Sequence, residues 1–237
     1  MKLLYTPRSP YARKVRVAAI EKGIELELVS EDLINKSPGL VKANPLGKIP
    51  TLVLDDGSGI FDSPVICEYL DSLKAKPALL PRDPDKRFAV LTLAAAADGL
   101  MDATVAAFME KRRHPDDFNA AFVAVQEETA RQCLAYFDAQ VEQFKELNLA
   151  GIGVASAIGY MHFRLPHLWP AFPLRPRSEA SGEAPAEWRG RQTSANLTSS
   201  PKGRRPGRPS SNCPRLARWY EEFSKRKSMQ ETVPREK

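Results

Sequence analysis

Chemistry near the start of the chain is concentrated in "PRSPYARKVR", residues 7–16, which follows the apolar "KLLY" and leads into an amphipathic stretch. A thiol–disulfide protein of this layout needs cysteines at the first and fourth places of "SPYA", and those places hold Ser9 and Ala12. Serine forms no mixed disulfide, so thiol exchange by the chain itself is excluded at this position. What remains is hydrogen-bond donation by a hydroxyl that Pro10 places at a helix N-terminus, where free N–H groups and the positive dipole end favour an anion. A triad-type nucleophile would need an adjacent base, and the three histidines, His114, His162 and His167, all lie far along the chain. Cys67, Cys133 and Cys213 have neither a disulfide framework nor metal-ligand spacing, so no metal is expected and a reducing compartment is the natural reading.

The elements that position Ser9 follow from periodicity. "KLLY" reads as a short buried strand ended by Pro7, and Pro10 opens a helix whose apolar face is Val15, Val17, Ala18, Ala19 and Ile20, closed at Gly23. Arg13, Lys14 and Arg16 are expected on its wet face. In "IELELVS", Ile24, Leu26 and Leu28 alternate with Glu25 and Glu27 as a strand does. "KSPGLVKANP" reads as a turn with one helical turn. "IPTLVLDDGSGIF" reads as a hairpin, and Ser63 as the capping hydroxyl of the helix in "PVICEYLDSL". The order is βαβαββα over residues 1–77. A Pro-rich connector at 78–84 follows, and then an all-helical part at 85–237 with helices at 85–111, 116–145 and 149–163. The apolar faces of the first two are read as Leu91, Ala94, Ala95, Met101, Val105 and Phe108, and as Phe118, Phe122, Val125, Leu134, Phe137, Val141 and Phe144.

The net charge of +6 is local: eight Lys/Arg against three Asp/Glu lie between Pro166 and Pro214, leaving 27 against 26 elsewhere. It therefore says little about what the folded body binds. This stretch, 166–214, has nine prolines and no sustained period, and is predicted to be irregular: a loosely draped surface extension or a stretch translated out of frame. "KGRRPGRP" is too imperfect and solitary for a minor-groove hook, so nucleic acid is not an expected partner. The helix in "RLARWYEEFSKR", with Leu216, Trp219, Tyr220 and Phe223 on one face, is expected to pack back on the bundle. The start is too short for a signal-peptide core and no run of about 18 apolar residues is expected to span a membrane, which predicts a soluble cytoplasmic protein.

Three segments in order, "SPYARKVRVAAIEKGI", "NPLGKIPTLVLDDG" and "FDSPVICEYLD", resemble the cytosolic glutathione S-transferases, here of bacterial, serine type. "NLAGIGVASAIGYMHFRLP" and "LARWYEEFSKRKSMQETVP" look like the late helices of bacterial members. The resemblance implies a thioredoxin-like N-terminal domain and a helical-bundle C-terminal domain. It also implies a homodimer in detoxification or stress response, using glutathione as co-substrate and no cofactor, with an electrophilic small molecule as second substrate. Ser9 would donate to the glutathione sulfur and favour thiolate, with Tyr5 as the other possible donor. Ile49, before a cis Pro50, would pair with the tripeptide backbone. Lys36 and Lys48 would meet the glycine carboxylate, and Asp62 and Ser63 the γ-glutamyl end, Asp62 standing where Glu is commoner. Tyr5, Met101, Val105, Phe108 and Met109 are the candidate wall of the second-substrate pocket. Asn148 would cap a buried helix that lacks the family's acid at Gly151. A noncatalytic binding or regulatory protein of the same fold is the alternative. Maleylacetoacetate isomerase is disfavoured for want of its "SSCSWRVR"-like start, and reductive glutathione lyase or dehalogenase activity stays open.

Overall fold

The computed structural model describes residues 1–169 and 213–236. Four strands form one sheet, β1 (Lys2–Tyr5), β2 (Glu27–Ser30), β3 (Thr51–Val53) and β4 (Gly59–Ile60), in the order β2-β1-β3-β4. β2 runs parallel to β1, with Leu3 opposite Leu28, whereas β3 runs antiparallel to β1 and β4 antiparallel to β3. The β2 strand is shorter than its alternating pattern suggested. Ile24 N–H donates to Ala19 O at 2.9 Å, so the chain at Gly23–Ile24 is still finishing the preceding helix.

That helix, α1 (Pro10–Glu21), connects β1 to β2, and α2 (Pro38–Ala43) and α3 (Ser63–Leu73) complete the βαβαββα half. Beyond it lie α4 (Pro84–Arg113), α5 (Ala120–Gln140), α6 (Leu149–Arg164), α7 (Pro214–Phe223) and α8 (Lys227–Glu231). The thioredoxin-like sheet followed by helices is the architecture expected. Leu216, Trp219, Tyr220 and Phe223 of α7 are buried, and Trp219 meets Phe144 edge to face at 4.9 Å between ring centroids. Residues 166–169, expected to be irregular, form a 3-10 turn that ends on buried Leu168 and Trp169. Trp169 packs on Tyr220 at 5.5 Å, and Cys213 is buried as well. The rest of the predicted irregular stretch, 170–212, lies outside the described residues.

The basic residues of α1 are the largest departure from the pattern. Lys14 is 1% exposed and Arg13 5%, so both are interior rather than on a wet face. Lys14 Nζ donates to both carboxylate oxygens of Asp98 on α4, at 2.6 and 2.9 Å. Arg13 Nη2 donates to Met229 O at 3.1 Å, and a side chain at Gly159 of α6 would collide with its guanidinium. Arg16 Nη2 donates to Glu231 O at 3.2 Å. At the far end Lys22, also buried, donates to Asp71 Oδ1 at 2.7 Å, to Pro77 O at 2.6 Å and to Lys74 O. Asp71 then accepts from Leu79 N–H and Leu80 N–H at 2.8 and 3.0 Å, so the connector after α3 is fastened rather than loose. Buried charge is costly unless paired, so these cations require partners from α3, α4 and the α8 region.

One helix among the described residues, α4, is long and apolar enough to cross a membrane by length and composition, although Asp98 and Asp102 interrupt its apolar run. It packs on α5 and α6 and presents Asp98 to Lys14, as a core helix does. Met101 of this helix is wholly buried in the core. Phe118, Phe122 and Val125, expected to face the core from the next helix, are 38%, 40% and 60% exposed, and α5 starts only at Ala120.

Glu21, at the end of α1, receives Arg226 Nε and Nη2 at 2.7 Å each, together with the Ser228 hydroxyl. The Arg226 hydrogen bond first, and Ser228 second among the favourable contacts, hold its carboxyl below the ordinary value of 4.5. A depressed carboxylate pKa contributes stability that is present above the unfolded-state value and is lost as pH falls. Thermal midpoints measured from neutral pH downward should therefore fall below about pH 5, and Glu21→Gln should flatten that part of the curve.

Candidate functional site

The strand directions bring four connections to one end of the sheet. β1 leads out through Tyr5 toward Ser9. β3 enters at Thr51, which pairs with Leu4, so Pro50 sits beside that exit. β4 leads out at Ile60, opposite Leu52, and delivers Asp62 and Ser63 to the same edge. β2 is parallel to β1 with Ser30 opposite Tyr5, so the segment carrying Lys36 also leaves there.

Ser9 is the N-cap of α1, in extended conformation, and its Oγ accepts from Ala12 N–H at 3.1 Å. A hydroxyl that accepts in a cap still has its proton to donate, so capping leaves Ser9 a usable donor. Tyr5 is partly buried, with the Arg16 guanidinium stacked 5.2 Å from its ring centroid. Asp62, rather than Ser63, caps α3: its carboxylate accepts from Ser63 N–H, and Ser63 is the first helical residue. Ser63 is 1% exposed and its Oγ is sealed from solvent without a hydrogen-bond partner. A buried orphan hydroxyl is costly. Here it stands at a helix N-terminus whose N–H groups and dipole favour an anion.

The Ile49–Pro50 bond is cis, as is Phe61–Asp62. The loop before Pro50 is tied by Asn44, a residue the sequence reading did not single out. Its Nδ2 donates to Lys48 O and Thr51 Oγ1 at 3.0 Å each, its Oδ1 accepts from Leu46 N–H at 3.0 Å, and its carbonyl accepts from Gly47 N–H. Gly47 has φ +56°, and a side chain there would press on the stem of Lys36. Lys36 and Lys48 are exposed, and Ile49 is half-buried.

Just beyond Ser9 in the chain, the Tyr11 hydroxyl donates to Asp102 Oδ1 of α4; burial first, and that contact second, push its pKa well above the phenol range. Asp98 and Asp102 lie one turn apart in an otherwise Ala-rich run, a signal the sequence did offer. Val105, Phe108 and Met109 of α4 are half-buried, whereas Met101 is wholly buried in the core. No thiol of the chain competes for a nucleophilic role: burial pushes Cys67 up to about 12 and Cys213 up to about 11, and raises Cys133. A concavity of about 550 Å³ lies elsewhere, between the sheet and α2, lined by Leu4, Val29, Ser37, Lys42 and Val53. None of Ser9, Pro50 or Ser63 contributes to it. Among the described residues no cluster of His, Cys, Asp or Glu is arranged to hold a metal.

A βαβαββα sheet with a cis-proline loop and two helix N-termini at one edge, backed by a helical bundle, defines a thioredoxin-like protein of the transferase type. Residues 8–73 match the family model for the glutathione S-transferase N-terminal domain. An uncharacterized GST-like protein, YibF, of Escherichia coli K12 is 36% identical over 168 residues, covering 69% of this chain and 83% of that protein. Among solved structures, a glutathione transferase family member from Pseudomonas fluorescens Pf-5, with bound S-(propanoic acid)-glutathione, is 35% identical. Its TM-score is 0.74, over 99% of this chain and 100% of that one. A glutathione S-transferase from Methylobacillus flagellatus KT, with glutathione bound, is 34% identical at TM-score 0.75, over 99% of both chains. The chain belongs to the glutathione S-transferase family.

Asn44→Ala should remove the hydrogen bonds that this buried side chain makes to Lys48 O, Thr51 Oγ1 and Leu46 N–H, lowering stability by about 1–3 kcal/mol. Denaturant unfolding at constant m-value checks this.

Proposed function

We propose that the protein is a cytoplasmic, homodimeric glutathione transferase in which Ser9 donates a hydrogen bond to the sulfur of bound glutathione. The observation that carries the reading is the sealed, unpartnered Ser63 hydroxyl at the N-terminus of α3, on the same sheet edge as Ser9 and the cis Pro50. Ser63 and the first N–H groups of α3 take the γ-glutamyl carboxylate, and Asp62 meets its ammonium. The backbone of Ile49 pairs with the cysteinyl residue, and Lys36 and Lys48, which make no ion pair among the described residues, take the glycine carboxylate. The two solved relatives named above, one with S-(propanoic acid)-glutathione bound and the other with glutathione bound, support this reading.

In the reaction the sulfur anion of glutathione bonds to an electrophilic carbon held against α4 by Val105, Phe108 and Met109. A leaving group departs with its electron pair, or the adduct takes a proton. Ser9 stays protonated throughout. A hydrogen bond to a charged group contributes about 1.5–3 kcal/mol, and a pKa unit corresponds to about 1.4 kcal/mol, so one hydroxyl supplies roughly one to two units of thiol acidity. The N-terminal half, 1–77, binds the tripeptide, and the helices from 85 onward bind the electrophile. Exposed Val65, Phe88, Phe122 and Val125 supply apolar surface for a second copy. Conjugation of this kind suits detoxification and stress response.

Ser9→Ala should raise the pKa of bound glutathione by about one to two units, read from thiolate ultraviolet absorbance against pH, while Tyr5→Phe leaves it in place. An unchanged value in Ser9→Ala would eliminate Ser9 as the donor. Ser63→Ala should instead weaken glutathione binding about tenfold with the thiol pKa unaltered, as calorimetry would show. Retention on immobilised glutathione without turnover of an aromatic halide would mark a binding module instead.

A further inference from the structure

Arg164 closes α6 with a side chain only 7% exposed. Its guanidinium lies between the rings of Phe108 and Phe163, at 4.2 and 4.1 Å from their centroids, with Tyr160 at 5.8 Å. A cation so enclosed needs an anion. The anion is Glu236, in the segment after α8, whose side chain is 60% exposed and belongs to no helix or strand.

The pairing is incomplete. Glu236 engages Arg164 through Nη1 alone, while Arg164 Nε is buried with no hydrogen-bond partner. Nε lies on the guanidinium edge it shares with Nη2, away from the Nη1 that Glu236 engages, so that second edge keeps a buried, unused donor. The other oxygen of Glu236 faces Arg8 Nη1 at 3.9 Å. Arg8 immediately precedes Ser9, and Phe108 belongs to the half-buried wall of α4. The cation is fixed by packing on two rings, whereas the carboxylate is held by little beyond the cations themselves. Exchange of one carboxylate for another therefore disturbs little packing.

The route of the chain brings this carboxylate to the cleft. From α8 onward the segment follows α1 backward, with Arg226 and Ser228 on Glu21, Glu231 on Arg16, Thr232 on Arg13 and Glu236 beside Arg8. Tyr160, raised mainly by burial, has Arg164 and Glu236 among its electrostatic neighbours, and Tyr160 is itself one of those of Tyr11. The charged group thus adjoins Phe108 of α4 on one side and Arg8, the residue before Ser9, on the other.

We infer that Arg164 and Arg8 form a subsite for a carboxylate on the second substrate, and that Glu236 fills this subsite in the free protein and is displaced when such a substrate binds. The inference rests on the glutathione reading above and narrows it to electrophiles that carry an acid group.

Calorimetric binding of two near-isosteric conjugates, S-(2-carboxyethyl)glutathione and S-propylglutathione, separates the possibilities. The wild-type protein should bind the carboxylate conjugate more tightly. Arg164→Gln should weaken that conjugate about tenfold or more, the scale of one charge-assisted hydrogen bond, while S-propylglutathione changes less than about twofold. Glu236→Gln, which alters an exposed side chain, should strengthen the carboxylate conjugate several-fold and leave the other alone; it carries the test should Arg164→Gln fail to fold. Equal binding of the two conjugates, no gain in Glu236→Gln, or equal loss for both conjugates in a folded Arg164→Gln would overturn the subsite alone. Binding of neither conjugate would overturn the glutathione reading and the subsite with it.

Discussion

Burial of cationic side chains on α1 is the constraint on which the rest of the molecule depends. This helix is covered by α3 on one side and by α4, α6 and α8 on the other, so Arg13, Lys14 and Lys22 have almost no water to face. Each must find its anion or carbonyls within the protein, and each finds them on a different element. Lys14 takes Asp98 of α4, Lys22 takes Asp71 and the carbonyls of the connector, and Arg13 takes the end of α8. The turn that carries Ser9 is thereby fixed relative to the helical half, because moving α1 would break several buried polar contacts at once.

On that frame the sheet performs a simple geometric task. Antiparallel pairing of β3 with β1 and of β4 with β3 returns the chain twice to the edge where β1 exits. Two helix N-termini and one cis-proline loop consequently share that edge. Their N–H groups, hydroxyls and dipoles all favour negative charge. The same end of α1 is met by α4, which adds partly buried apolar side chains. A ligand with anionic ends and a polarisable centre fits such a mixture better than a neutral one would.

Much of this was legible beforehand, and what was not has identifiable causes. The order of strands and helices followed from prolines at helix starts and from apolar spacing, which depend on neighbours within a few residues. The reading of Arg13 and Lys14 as solvated failed because a cation beside an apolar helix face is ordinarily wet; only Asp98, some 84 residues away, makes its burial tolerable. Met101, read as part of a pocket wall, is wholly buried in the core, because spacing within one helix does not say which face meets which partner. Ser63 was read as a cap because serine before proline so often is one, yet Asp62 took the role and left the hydroxyl free. Asn44 gave no signal at all, since its value lies in the Lys48 carbonyl and the Leu46 N–H that the loop brings to its amide.

The sequence by itself determined the fold class, the absence of a thiol pair at "SPYA" and the family, because these rest on local preference and on residue chemistry at fixed spacing. Only the tertiary structure decided which cations are interior, which hydroxyl is left without a partner, and that a carboxylate from the end of the described chain lies beside Arg8 and Arg164. Those properties depend on desolvation and on contacts between distant elements, and a residue's burial is a fact about its neighbours in space rather than about the residues on either side of it.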